Sequence, residues 1–270
     1  MKQMRISDRE DRFTRRMPAH FRKWVPAGGI CPYDDCTTLE ISYLTDGKKL
    51  RDYVPEEFSI TRPLVMIMYE KCSGVQWMGG SEYSLATASV PVTYRETTEP
   101  ISGVYHLVLW EDKTEPILGG REEAGMPKIF ADIPEYRRRG TELSWNLSHG
   151  GRTFLEMDCT IGRACSPAEL AGLNADNGRV VQFGWRYIPK VGPYPGPALS
   201  EATYYPVDNA FTSASVCSGT IKWIVPKPLD HPTQYDIIAA LADLPVREYL
   251  TGSFRKGSTA MRMDLARALP

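Results

Sequence analysis

Apolar residues along this 270-residue chain come in short runs set between Gly, Pro, Asn and Asp turn signals. That pattern predicts strands more often than helices. Residues 38–44 (TLEISYL) and 86–94 (ATASVPVTY) are rich in β-branched and aromatic side chains. Residues 104–110 (VYHLVLW) are almost wholly apolar and read as a strand buried on both faces. Residues 142–147 and 152–161 flank Ser148-His149-Gly150-Gly151, a hairpin signature. Residues 179–188 and 218–225 add further strands.

Helical signals are fewer. Asp46-Gly47-Lys48-Lys49-Leu50-Arg51 reads as a short capped helix ending before Pro55. Ser166-Pro167-Ala168-Glu169 is a capping box with proline at the first helical position, opening a helix to about Ala175. Residues 233–242 carry apolar side chains at Tyr235, Ile238, Leu241 and Ala242 and predict another helix. Residues 189–206 are crowded with Pro and Gly and read as an irregular loop. The sum is a β-rich α+β protein. Strands and helices do not alternate, and no G-x-G-x-x-G opens a helix, which disfavours a Rossmann fold.

Composition narrows the function classes. The formal net charge is −1, with no basic-aromatic module, so nucleic acid is not an expected partner. No apolar run approaches the roughly 18 residues of a membrane span. The first 23 residues hold eight Lys/Arg against three Asp/Glu and lack the apolar core of a signal peptide. The expectation is a polar arm over residues 1–25, a single domain over 26–270, and a cytoplasmic location. Six cysteines form no C-x-x-C, and the four histidines have no ligand spacing, so no metal site is expected. Without a secretion signal the cysteines read as reduced and mostly buried.

One lysine stands out. Lys128 lies in GGREEAGMPKIF, between Met126-Pro127 and Ile129-Phe130. An ordinary lysine, with a pKa near 10.4, is almost wholly charged at pH 7, yet only the neutral amine attacks a carbonyl. Burial among apolar neighbours penalises the charged form. The resulting protonated Schiff base is an electron sink for decarboxylation, aldol cleavage or dehydration. The plain alternative is a lysine that snorkels to water.

Gly120-Arg121-Glu122 with Pro127-Lys128 resembles the Schiff-base segment of the acetoacetate decarboxylase superfamily, whose activated lysine is a standard instance of this chemistry. The likeness continues through Tyr43-Leu44-Thr45-Asp46, Val54-Pro55-Glu56, Arg62-Pro63-Leu64-Val65, Ser73-Gly74, Val90-Pro91-Val92, Gly103-Val104-Tyr105-His106 and Asp243-Leu244-Pro245-Val246-Arg247-Glu248. It implies an antiparallel barrel or cone-shaped sheet with a few peripheral helices, no cofactor, and a homo-oligomer. Departures also appear. The family's second lysine is Ile129, an arginine of the decarboxylases aligns with Cys36, and a glutamate aligns near Met68.

Members lacking the decarboxylase set resemble pyruvate aldolase-dehydratases. The resemblance therefore implies a Schiff-base lyase acting on small oxo acids, with an aldehyde as second reactant. Decarboxylation of a β-oxo acid and non-catalytic binding of a carbonyl ligand are the alternatives. The candidate catalytic residues are Lys128, Glu82 and Tyr83; Tyr105, Trp110, Met126 and Arg121 are candidate substrate contacts. Glu82 reads equally as an exposed loop acid, Arg121 as a structural ion-pair partner, and Tyr105, Trp110 and Met126 as core. His106 reads as a satisfied core histidine.

Overall fold

The computed structural model describes residues 16–18 and 29–270. The expected arm over residues 1–25 lies outside the described residues except for 16–18. Strands β1 (Ile30–Leu44), β2 (Phe58–Ile60), β3 (Leu64–Val75), β4 (Ser81–Tyr94), β5 (Ile101–Glu111), β6 (Lys128–Phe130), β7 (Arg137–Arg139), β8 (Glu142–His149), β9 (Arg152–Ala164), β10 (Val180–Pro189), β11 (Pro197–Trp223), β12 (Glu248–Tyr249), β13 (Gly252–Arg262) and β14 (Arg267–Ala268) join in one 14-stranded sheet. Helices α1 (Gly47–Arg51), α2 (Thr114–Ala124), α3 (Pro167–Leu173) and α4 (Tyr235–Ala242) lie between strands.

Neighbours run β10-β5-β4-β3-β1-β13-β11, and β10 also pairs with β11. That second pairing closes seven strands into a ring. Most pairings are antiparallel; β10 runs parallel to the first part of β5, and β6 parallel to its last part. Beyond β11 the sheet continues through β9, β8 and β7.

Alternation along each strand sorts side chains onto two faces. On β1, β3, β4 and β5, one face sends Leu39, Ile41, Tyr69, Ala86, Ala88, Val108 and Trp110 into a large core shared with Trp145, Leu147, Phe154 and Ile238. Those partners belong to β8, β9 and α4, so this core lies outside the ring. The opposite face points into the ring. Its residues come from all seven ring strands, and they enclose a lumen. Register shifts sit where a face must be kept through a bend: between Tyr33 and Cys36 on β1, and between Ala88 and Ser89 on β4.

Local signals in the sequence are met. Asp46 caps α1, its Oδ1 accepting from the Lys48 N–H at 2.9 Å, and its Oδ2 takes a bond from Arg247 at 2.6 Å. Ser166 and Glu169 complete the capping box of α3. The 148–151 hairpin turns on Gly150 and Gly151, with φ of 57° and 76°, the conformation a two-residue type I′ turn requires.

One expectation is corrected, and one helix lies outside the sequence reading. Of the predicted 189–206 loop, only 190–196 is irregular; β11 begins at Pro197 and runs 27 residues. Residues 199–207 pair with β10, and Thr203 and Tyr204 also pair with β14. Long-range pairing thus overrides local Pro and Gly content. Residues 114–124, which contain Gly119-Gly120-Arg121-Glu122, form α2. Two glycines weaken that helical signal in sequence.

Trp110 is fully buried in the outer core, packs 5.3 Å from Phe154, and donates its indole N–H to Gln234 at 3.1 Å. Trp110→Ala is expected to cost about 3–5 kcal/mol, read as a lower urea midpoint. A loss below about 1 kcal/mol would show that this core repacks without the indole.

Candidate active site

The Lys128 environment begins with how α2 ends. Gly125 takes the left-handed conformation, φ 66°, that stops the helix. A Cβ there would lie 2.7 Å from the Arg186 backbone nitrogen, so only glycine fits between α2 and β10. Met126 and Pro127 then turn the chain, and β6 starts at Lys128, paired with Leu109 of β5. Parallel pairing keeps both side chains on the lumen face. Arg121 fixes this turn, its Nη1 donating to the Lys128 carbonyl at 2.9 Å.

Lys128 is 8% exposed. Its Nζ lies 2.7 Å from Glu111 Oε1 and donates to the Pro116 carbonyl at 3.1 Å. Glu111 is fully buried, and its Oε2 makes no hydrogen bond. Burial pushes the Glu111 carboxyl above the usual carboxylate range, and the Lys128 charge opposes that rise. Gly120 gives the lysine its channel: a Cβ there would lie 2.4 Å from Lys128 Cδ and Cε.

The lumen has an empty volume of about 900 Å³, part of it open to solvent. Met68, Leu85, Leu109, Met126, Met261 and Met263 give it apolar walls. Tyr83 donates to Tyr33 Oη at 3.3 Å, and Trp77 Nε1 donates to the same oxygen at 3.1 Å. Burial holds the Tyr83 hydroxyl well above its ordinary pKa, so it keeps its proton, and the nearby Glu111 carboxylate adds to this. His106 is buried, with Nδ1 2.8 Å from Ser89 Oγ and Nε2 3.1 Å from Gln182 Oε1. A carboxamide oxygen only accepts, so Nε2 carries the ring proton. Also on the lumen lining, Arg16 Nη2 donates to Glu123 Oε2 at 2.9 Å and its guanidinium lies over Trp77.

Lys128, Tyr83 and Met126 are brought together on the lumen wall. The other candidates are not. Glu82 points to solvent, its side chain 63% exposed and 3.7 Å from Lys71 Nζ, because it alternates with Tyr83 on β4. Tyr105 and Trp110 alternate with His106 and Glu111 in the same way and face the outer core. Arg121 holds backbone, as described. Glu111 was missed in the sequence. Its signal was position: a carboxylate ending an apolar strand, two residues beyond Leu109 on the same face.

The family model for acetoacetate decarboxylase matches residues 16–267. The chain belongs to the acetoacetate decarboxylase family. An acetoacetate decarboxylase of Burkholderia cenocepacia (strain HI2424) is 38% identical over 108 residues, 39% of this chain and 42% of that protein. The match thus spans less than half the length of that relative. The crystal structure of acetoacetate decarboxylase from Legionella pneumophila superposes with a TM-score of 0.74 at 18% identity, covering 92% of this chain and 91% of that one. The enduracididine biosynthesis enzyme MppR, complexed with pyruvate, superposes at 0.68 and 15% identity, covering 94% and 95%. MppR has also been captured with the condensation product of pyruvate and imidazole 4-carboxaldehyde. At these identities the structures establish the shared fold, which agrees with the closed ring.

Two expectations follow from this geometry. Gly120→Ala is expected to push Lys128 off Glu111 and to lower stability by about 1–3 kcal/mol, because the added Cβ overpacks the site and the disturbed buried pair outweighs alanine's better helix propensity. A crystal structure of that variant with the ion pair intact would refute the channel role. Burial, partly opposed by the Gln182 bond, lowers the His106 pKa from 6.5 to about 4. The neutral ring is therefore the native form, and the stability it contributes is present above pH 6.5 and lost as pH falls through 4. The Tm of His106→Gln is expected to fall less steeply than that of the parent across this window. Equal slopes would remove His106 from the acid transition.

Proposed function

We propose that the chain is a Schiff-base lyase whose nucleophile is Lys128, acting on a small oxo acid. The observation that carries this reading is the Lys128–Glu111 pair, set at 2.7 Å inside a partly open lumen. Burial raises the Glu111 carboxyl, so this group is suited to take the lysine proton. The free amine then adds to the substrate carbonyl. Glu111 returns the proton to the carbinolamine oxygen, water leaves, and an iminium forms. A base, Glu111 again ionised, removes a proton from the adjacent carbon to give the enamine. Tyr83, protonated and lining the same lumen, is the candidate donor to the oxygen of an incoming aldehyde, exchanging its bond to Tyr33 for one to the substrate.

Aldol addition with dehydration, or its reverse, is favoured over decarboxylation. MppR, which shares the fold, holds pyruvate and an aldehyde condensation product. In this chain the position aligned with the decarboxylase arginine is Cys36, and the second lysine is Ile129. Decarboxylation remains the second reading, supported by the 38% identity to a protein named acetoacetate decarboxylase.

The test is borohydride reduction in the presence of pyruvate, then peptide mass mapping. The pyruvyl adduct is expected on Lys128 and absent from Lys128→Ala. Glu111→Gln is expected to retain labelling while turnover of pyruvate with an aromatic aldehyde falls about 10²–10⁴-fold, the usual contribution of a general acid–base group. Labelling at another lysine would sink the assignment. Carbon dioxide release from acetoacetate without enone formation would select decarboxylation, and saturable binding without turnover of either would select a binding protein.

A further inference from the structure

A second cluster of chemical groups faces the same lumen and is not used by the lysine chemistry. Glu70 and Cys72 stand two residues apart on β3 and so share its inner face. Cys36 on β1 is the register partner of Cys72, and their sulfurs are 3.6 Å apart. The two sulfurs and a Glu70 carboxylate oxygen all lie within 4.8 Å of one another. Both cysteines are buried, while Glu70 and Cys72 border the lumen. No other group of three or more such ligands comes this close among the described residues.

We propose that Cys36, Cys72 and Glu70 bind a divalent cation of the zinc class, with the fourth coordination position open to the lumen. Zinc–sulfur bonds of about 2.3 Å at a tetrahedral centre set adjacent ligands about 3.8 Å apart. The observed sulfur separation of 3.6 Å is close to that spacing. It is far from the ~2.05 Å of a disulfide. Two sulfurs and one carboxylate, with an open position, form a ligand set that zinc accepts.

Burial raises the Glu70 carboxyl, with Arg255 and hydrogen bonds to Cys36 and Thr38 opposing the rise. The bond to Cys36, then burial, raises the Cys72 thiol. Binding forms two metal–sulfur bonds and one metal–oxygen bond, with the ligands deprotonated and any protons they carry released to solvent.

The open position offers the lumen a Lewis acid for a substrate oxygen. The lumen cations Lys128 and Arg16 are already paired with Glu111 and Glu123. That role in orienting substrate rests on the Schiff-base reading; metal binding itself does not.

The test uses the full chain, purified fully reduced and titrated with cobalt(II), then with zinc. One cobalt per chain is expected, with a thiolate-to-cobalt charge-transfer band and intense tetrahedral visible bands, all abolished by zinc. The paired substitutions Cys36→Ser and Cys72→Ser are expected to remove the bands. Glu70→Gln, which keeps the side-chain shape, is expected to retain the charge-transfer band with affinity reduced at least about tenfold, since even outer-shell partners matter by 10–100-fold. Lys128→Ala is expected to bind cobalt as the parent does, which separates this site from the nucleophile. Absence of a charge-transfer band in the reduced parent overturns the proposal. So does a band that survives in the double serine variant, or unchanged affinity in Glu70→Gln if the serine variant does not fold.

Discussion

A lysine ammonium and a glutamate carboxylate, 2.7 Å apart and nearly shut off from solvent, are the constraint around which this protein is arranged. Withdrawing two charges from water costs several kcal/mol per ion, and attraction offsets this only when the geometry is held. The fold holds it covalently close on both sides. Glu111 ends β5, Lys128 begins β6, and the two strands lie side by side in parallel. Between them the chain makes one helix, whose Pro116 carbonyl accepts from the ammonium and whose Gly120 leaves room for the arm. The helix, the glycine stop and the short strand all serve to place one amine against one carboxyl at the edge of a cavity.

The ring of seven strands supplies that cavity. A closed sheet has an inside and an outside, and strand alternation assigns every other residue to each. The outer face carries a core that β8, β9 and α4 cover, and Trp110, Tyr69 and Phe154 belong to it. Polar and sulfur-bearing side chains take the inner face with a few apolar ones. The protein thus separates its stabilising core from its chemistry by the thickness of one sheet.

Within the lumen, polar groups are arranged in satisfied sets. Tyr83, Tyr33 and Trp77 share one hydrogen-bonded network that continues from Tyr33 to the Met261 sulfur at 3.1 Å. His106 is held from both ring nitrogens. Glu111 Oε2 and the Cys36–Cys72–Glu70 cluster stand apart from these sets, one with an unused lone pair and the other with its donor atoms converging. Unused capacity of that kind, inside a space a small molecule can enter, is what distinguishes a reactive wall from a merely packed one.

Sequence alone determined what depends on near neighbours. Alternating apolar runs, turn glycines and capping residues identified most of the strands, the hairpin at 148–151 and three of the four described helices. The motif around Lys128, with the ordered likeness from Ser42 to Glu248, pointed to the family and to Lys128 as the candidate nucleophile. Which face of a strand looks inward was not legible, because it depends on how the sheet closes. That one-residue parity moved Tyr105, Trp110 and Glu82 away from the lumen and brought His106, Glu111 and Tyr83 to it. Only the tertiary structure put Glu111 beside Lys128 and Cys36 beside Cys72. Contacts between residues 17 and 36 positions apart arise from strand pairing, which no local pattern of side chains encodes.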